Sequence, residues 1–470
     1  MVSYGSSEMD RETLQALDKP ALVDLVLELQ RANAALTARV AELEARLAKL
    51  ESPPKTPGNS SVPPAQARKP NRAERRQTKR GPKRGHAGVS RPRAVPDATI
   101  TCRPTSCGGC GALLPPEGQR LIGRSQVEEL PVLRPVVLEV LRYQATCANC
   151  GQQTTAEPPT WFTPHATFGP RVEALLVYLH ETHHVSYERL VELCRDVLGL
   201  RLSQGAIAHA LKRVATRAGP TVERIREQVR TSAVINSDET GARVDGDNCC
   251  HWVFQTPTAS YHLIAATKGA AVIAEFLGDQ RPVVWGSDAA PTQLGAASDQ
   301  HQLCLAHQLR DLTYATAADH PPGSGWARQL RHVFGRALRL HRERKAVSAA
   351  SFAQRRVRVV NAAERLVFGP PLGAGEAGRL QQRYRKHWAT LFVFLEREAV
   401  EPTNNSSERD LRPAVMHRKM TGGYRSTAGA TWGGIFSTVL TTARKNRANR
   451  FEALCDISGP SPLATCYQGT

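Results

Sequence analysis

The stretch "TSAVINSDETGARV", residues 231–244, decides how the chain is read. Its apolar and polar residues alternate with the period of a β-strand, which puts Val234, Asn236 and Asp238 on one face and Ile235 on the other. Outward from it, "CCHWVFQT" (249–256) and "SYHLIAAT" (260–267) read as strands, "AAVIAEFLG" (270–278) as a helix and "RPVVWGSDAA" (281–290) as another strand. The texture is α/β. The first and last of these strands each end in a polar step carrying an aspartate, Asp238 and Asp288. An apolar strand that delivers a carboxylate at its C-terminal end is a common way to build a site.

A third carboxylate lies far along the chain, in "EPTNNSSERDLRP" (401–413). Thr403 is placed to N-cap a short helix after Pro402, so that Glu408 projects one turn in. Hard divalent cations such as Mg²⁺ or Mn²⁺ take oxygen ligands. Two of them about 4 Å apart activate the attacking oxygen and stabilise the leaving one in phosphoryl transfer. On this reading Asp238, Asp288 and Glu408 hold the metal, and Arg409, Arg412, Arg418 and Lys419 supply phosphate-binding cations around it. Spacing alone leaves the choice open. Glu239, Asp245, Asp247 and Asp299 are also available, and an exposed charged helix accounts for the cations equally well.

About 120 residues separate Asp288 from Glu408, more than a compact α/β core needs. From 325 onwards they read as three arginine-rich amphipathic segments, 326–347, 351–368 and 376–398, and hence as an inserted helical subdomain over 319–400. In "CLAHQLRDL" (304–312) Cys304 is expected in the core and His307 in the catalytic cleft; a second metal site there would draw on Cys249, Cys250 and His251. The Gly-rich turn and helix after residue 420 are expected beside the Glu408 segment, completing a core over 231–318 and 401–460 with a tail at 461–470.

Upstream, 165–230 reads as helical. Gly199 can end one helix and Ser203 cap the next, a helix-turn-helix pattern offering Gln204, His209, Lys212 and Arg213 to DNA, although an ordinary helical hairpin has the same signature. Within 101–160, "CGGC" (107–110) and "CANC" (147–150) flank strand-like "QVEEL" and "VVLEVLRYQAT". Cys107, Cys110, Cys147 and Cys150 have the spacing of a zinc ribbon, whose four thiolates hold a structural Zn²⁺ and leave no open position. Residues 51–100 are rich in Pro, Gly, Ser and cations and cannot form a core. Arg68, Lys69, Arg72, Arg75, Arg76, Lys79, Arg80, Lys83 and Arg84 suit a phosphate backbone, or a solvated linker. In 1–50, Leu22, Leu29, Leu36, Leu43 and Leu50 recur every seven residues, with Val26, Asn33, Val40 and Leu47 four after each of the first four. That is a coiled-coil seam, with Asn33 favouring a parallel dimer; the alternative is one helix lying on its own domain.

The whole composition agrees with a polyanionic partner: 62 Lys and Arg oppose 43 Asp and Glu, a net charge of +19. No signal-peptide core and no long apolar run is present, so a cytoplasmic, soluble protein with no membrane partner is expected, its eleven cysteines rarely disulfide-bonded.

The order of zipper, "PGNSSVPP" with a basic tract, paired Cys-x-x-Cys knuckles, "SDETGARVDG", "SDAA…HQLCLAHQLRDL" and "TNNSSERDLRP…RKM" resembles the transposases of insertion sequence family sixty-six over nearly the whole chain. The resemblance implies a DDE transposase with a ribonuclease H-like core, its matching positions being Asp238, Asp288 and Glu408. It further implies binding to the terminal inverted repeats of a bacterial insertion sequence, Mg²⁺-dependent hydrolysis at each end, and attack of the freed 3′-hydroxyl on target DNA. A homodimer or higher oligomer on nucleoid DNA and small accessory proteins of the element belong to the same expectation. One departure stands out, "AAPTQLGAAS" after Asp288 where the family often has Gly and an aromatic residue. The competing readings are a zipper-dimerised DNA-binding protein without chemistry and a structure-specific nuclease.

Overall fold

The computed structural model describes residues 18–51, 53, 55–56, 59, 91–159, 162, 164, 166–460 and 463. The cations from Arg68 to Arg84, expected on phosphate, lie outside the described residues. In chain order, α1 (Lys19–Glu51) precedes the short strands β1 (Gln144–Thr146) and β2 (Gln153–Thr155), then α2 (Pro170–Val177), α3 (Tyr187–Leu198) and α4 (Gln204–Arg230). Next come β3 (Val234–Val244), β4 (Asp247–Gln255), β5 (Ser260–Ala265), α5 (Ala270–Leu277), β6 (Val284–Ser287), the single turn α6 (Pro291–Leu294) and β7 (Gln300–Leu303). The remainder is helical: α7 (Leu305–Ala318), α8 (Gly323–Arg342), α9 (Ala349–Val367), α10 (Glu376–Lys386), α11 (Val393–Glu396), α12 (Asn405–Thr421), α13 (Thr427–Lys445) and α14 (Arg450–Ser458).

The larger sheet has the order β5-β4-β3-β6-β7, with β3, β6 and β7 parallel and β4 antiparallel to β5. β3 does not end at its polar step. Asp245 and Gly246 both take positive φ, 49° and 86°. That is the type I′ hairpin an Asp-Gly pair favours, and strand pairing runs on to it. Asp238 therefore sits inside an eleven-residue strand rather than at its end, while Asp288 does follow the last residue of its strand, Ser287. Asp245 belongs to the turn, and its N–H donates to the Tyr424 carbonyl at 2.9 Å.

The chain divides into two compact units. The first, Met1–Arg68, Ala233–Asn236 and Arg281–Ser406, is built on one apolar core joining β6 and β7 (Val284, Leu303) to α7 (Leu312), α8 (Leu330, Phe334), α9 (Phe352), α10 (Tyr384) and α11 (Phe394). The helices expected as a separate insertion over 319–400 thus share their core with residues 284–315. The reason is geometric: α8 buries one apolar face from Trp326 to Leu340, and α7 offers it an apolar face of its own. Within this unit's range, α1 leaves Leu22, Val26, Leu29, Leu36, Val40 and Leu43 exposed by 37–65%. Among the described residues nothing covers that seam.

The second unit comprises Lys69–Ser232, Ser237–Gln280 and Ser407–Thr470. Here α2, α3 and α4 (Leu176, Leu190, Ile207, Leu211, Val214) share a core with α13 and α14 (Phe436, Leu440, Leu454). The region over 165–230 is accordingly not a free-standing module. Its caps fall where the residues indicate: Gly199 ends α3 with φ 64° and Ser203 caps α4. α13 lies against β5, an edge strand. The hydroxyls of Thr438 and Thr442 accept the N–H groups of His262 (2.9 Å) and Ser260 (3.1 Å), closing that edge. Gly434 permits the approach, since a Cβ there would stand 3.2 Å from the His262 carbonyl.

The strands expected over "QVEEL" and "VVLEVLRYQAT" shrink to Gln144–Thr146, which pairs antiparallel with Gln153–Thr155. Val127, Leu130, Val136 and Val137 are exposed. Among the described residues no apolar layer packs on them, and alternation without a covering layer does not stabilise a strand.

Candidate functional site

Asp238 is half-buried in β3, and its Oδ1 accepts the N–H of Glu239 at 2.9 Å. Glu239 itself faces Lys268 at 3.6 Å. The β3–β6 register pairs Val234 with Val284, Ile235 with Trp285 and Asn236 with Gly286. Asp238 comes two residues after Asn236, and Asp288 two residues after Gly286. At position 286 a Cβ would lie 2.1 Å from Asn236 Oδ1, so any residue but glycine would require the Asn236 side chain to move. Beyond β6, Asp288 Oδ1 accepts the Ala290 N–H at 2.9 Å and so shapes the turn into α6. Ser287 Oγ donates to the Asp288 carbonyl (2.8 Å) and lies 3.0 Å from His301 Nε2. Burial, then the charge of His387, pushes His301 down to about 4, so its ring is neutral at pH 7.

Glu408 lies in the first turn of α12, as expected, but Thr403 is not the cap. The helix begins at Asn405 and runs 17 residues. The preceding strap is fastened to the start of α7 instead: Leu305 N–H donates to the Pro402 carbonyl (2.9 Å) and the buried Asn404 N–H to Cys304 Sγ (3.1 Å). Cys304 is thus a core residue, as expected. Two residues past Glu408, Asp410 has a different role. It is buried, accepts from Ser260 Oγ (2.6 Å) and Arg444 Nη2 (2.7 Å), and lies 3.1 Å from Lys445 Nζ. Nothing near it in sequence betrays this, since Ser260 is 150 residues away.

Of the cations expected around Glu408, Arg409, Arg412 and Lys419 are exposed. Arg418 donates to the Gly241 carbonyl and lines a cleft of about 550 Å³ with Arg243 and Lys268. On α4, Gln204, His209 and Lys212 are exposed. Arg213 is held inward, its Nε donating to the buried Glu173 (2.6 Å), which Arg217 also binds (2.8 Å).

The second unit also contains buried histidines, of which only His251 drew notice in the sequence, as a possible ligand of a second metal site. The His417 ring stacks on Tyr424 at 4.6 Å and lies 5.9 and 5.8 Å from those of His180 and His184. His251 Nε2 is 3.1 Å from His262 Nδ1. Burial pushes His262 and His417 down to about 3, helped at His262 by Lys445 and Arg444 and at His417 by the neighbouring imidazoles. For His251 and His262 the local signal was their placement on otherwise apolar strands; His417 sits on the charged helix α12 and had none.

The two Cys-x-x-Cys knuckles have one backbone geometry. Cys107 N–H donates to the Ala112 carbonyl (2.8 Å) and Cys147 N–H to the Gln152 carbonyl (2.8 Å). Gly111 and Gly151, after each second cysteine, take φ 74° and 72°. Backbone N–H groups of Cys110 and Gly109 hold the Cys107 thiol below its usual pKa, and those of Cys150 and Asn149 do the same for Cys147. The shift at the first cysteine of each knuckle is towards the thiolate, the form that binds zinc. The hard oxygens of Asp238, Asp288 and Glu408 are the donor type Mg²⁺ takes. Among the described residues, no three His, Cys, Asp or Glu side chains are gathered as a metal-holding group, and no helix is long and apolar enough to cross a membrane.

None of the curated proteins compared with the chain matches it. The family model described as Transposase IS66 family matches residues 165–432, more than half of the chain. That span begins before α2, takes in the strands β3 to β7 and all three candidate carboxylates, and ends within α13. On this match the chain belongs to the IS66 family of transposases.

Proposed function

We propose that the protein cuts and joins DNA at the ends of its insertion sequence, with Asp238, Asp288 and Glu408 as the metal-holding carboxylates of a DDE transposase. What carries the reading is the strand register. Asn236 and Gly286 are partners on parallel strands, and each is followed at the same two-residue offset by an aspartate. The sheet supports a core of ribonuclease H type, with two hairpin-linked antiparallel strands beside β3 and two parallel ones after it. The deep ion pairing of Asp410 argues that it is structural, and Glu408, in the first turn of α12, is the carboxylate at the position the resemblance matches to the metal-holding set.

Mg²⁺ bound by these side chains would polarise the scissile phosphate and favour ionisation of the attacking oxygen. The chain's own contribution would be placement: Asp238 stands within β3, Asp288 directly after the last residue of β6, and Glu408 in the first turn of α12. Arg409, next to Glu408, Arg412, about one turn on, and Lys419, about three turns on, are exposed and suit phosphate oxygens. Zinc held by Cys107, Cys110, Cys147 and Cys150 would tie the two knuckles into one small domain, and α1 would pair with a second copy along its exposed leucine seam. Gln204, His209 and Lys212 on α4 are the surface assigned to reading the terminal repeats. The expected result is Mg²⁺-dependent nicking of an end-containing duplex, leaving a 3′-hydroxyl, that is lost in Asp288→Asn while DNA binding persists. Nicking at the wild-type rate in that variant would remove the assignment.

A further inference from the structure

The first unit carries a basic groove that none of the candidate sites uses. It is a cleft of about 510 Å³ between α7 and α8, lined by Arg310 from α7 and by Arg328, Arg331, His332, Arg336 and Arg339 from α8. No carboxylate lines it. The α8 arginines are exposed, and among the described residues Arg328, Arg331, Arg336 and Arg339 form no ion pair.

An ordinary solvated helix face interleaves opposite charges at three- and four-residue spacing, because like charges there oppose the helix. α8 does the reverse: its twenty residues include no Asp or Glu, and Arg328–Arg331 and Arg336–Arg339 are like-charged neighbours. Its other face is fully engaged, burying Trp326, Leu330, Phe334 and Leu340 in the core. The arginine face is thus held rigidly outward. At its middle, Gly335 lines the floor of the groove, where a Cβ would meet nothing within 4 Å, so an anion can approach the helix backbone. From Arg328 to Arg339 the helix rises about 16 Å, the rise of roughly five phosphates along one DNA strand.

We infer that this α7–α8 groove is a DNA-backbone site, binding the phosphates of a duplex segment without reading its sequence. The inference rests on the proposed transposase reading and adds to it a second contact surface, on a different unit from the α4 face. It explains why arginine rather than lysine fills the groove: the guanidinium fork binds phosphate oxygens bidentately.

The test compares full-length wild type with Arg331→Ala/Arg339→Ala and with the charge-retaining Arg331→Lys/Arg339→Lys, on end-containing and unrelated duplexes across a salt series. Loss of two phosphate contacts is expected to reduce the slope of log K against log salt by about 2 and to weaken both duplexes equally. The Lys pair should keep the slope. Circular dichroism melts, expected to be unchanged, guard against misfolding. Unchanged affinity and slope in the Ala pair would overturn the groove assignment, as would loss confined to the end-containing duplex. The catalytic reading fails separately: it falls if wild type does not nick with Mg²⁺, whereas a failed groove leaves nicking at saturating DNA intact.

Discussion

Two carboxylates two residues apart on α12 have opposite fates, and that contrast is the sharpest statement at the residue scale. Asp410 neutralises Lys445, which is buried beside it. Burial lowers the lysine's pKa while Asp410 opposes the shift. Removing one partner of a buried pair strands the other, so Asp410→Ala is expected to cost about 3 to 5 kcal/mol in a denaturant melt. Glu408→Gln should cost less in the melt than Asp410→Ala and abolish metal-dependent nicking. If Glu408→Gln were as destabilising as Asp410→Ala, the division of labour proposed here would be wrong. Glu408 was legible in the sequence because its neighbours are amides, hydroxyls and arginines. Asp410 was not, because a buried ion pair is recognised by its partners, and Ser260 and Lys445 meet it only through the packing of β5 and α13. Asp245 has a role its charge does not suggest, in an Asp-Gly turn that is a local signal.

At the scale of elements, the strands and caps were largely legible, and the boundaries between domains were not. Gly199 and Ser203 act through their own backbone and side chain, so their roles can be read locally. The expected insertion over 319–400 and the expected DNA-binding region over 165–230 were drawn where the amphipathic pattern changes. An amphipathic face says that a helix is buried on one side, without saying against what. α8 found α7, and α4 found α13 and α14. The knuckles make a prediction at this scale. With two turns of like geometry and, among the described residues, no apolar layer on the segment between them, the proposal is that a metal joining the knuckles holds 101–160 together. Cys107→Ser should release zinc and leave 101–160 open to limited proteolysis, while residues 166–460 resist it. Full zinc content in that variant, measured by elemental analysis, would refute the four-thiolate assignment.

For the molecule as a whole, the buried histidines set the response to acid. His251, His262 and His417 are held neutral by burial, with folded values far below the ordinary value near 6.5. Above that pH both states are neutral and the residues contribute nothing to the pH dependence. As pH falls through 6.5 the unfolded chain takes up protons the folded chain refuses, and stability drops by up to about 1.4 kcal/mol per pH unit for each histidine. Glu181 acts in the opposite sense: burial raises its pKa, so its cost is present near neutrality and is relieved on acidification. Three histidines against one carboxylate predict a net fall in melting temperature between pH 6.5 and 5, shallower in His417→Gln; a flat profile would contradict the buried-neutral assignment. The central claim, that three carboxylates distant in sequence share bound metal, has a direct test. Fe²⁺ substituted for Mg²⁺ on the DNA-bound protein, with ascorbate and peroxide, cuts the polypeptide beside the metal. Cuts are expected near residues 238, 288 and 408 together, and to vanish together in Asp238→Asn. Cutting near 238 and 408 without 288, or at sites unrelated to all three, would contradict it.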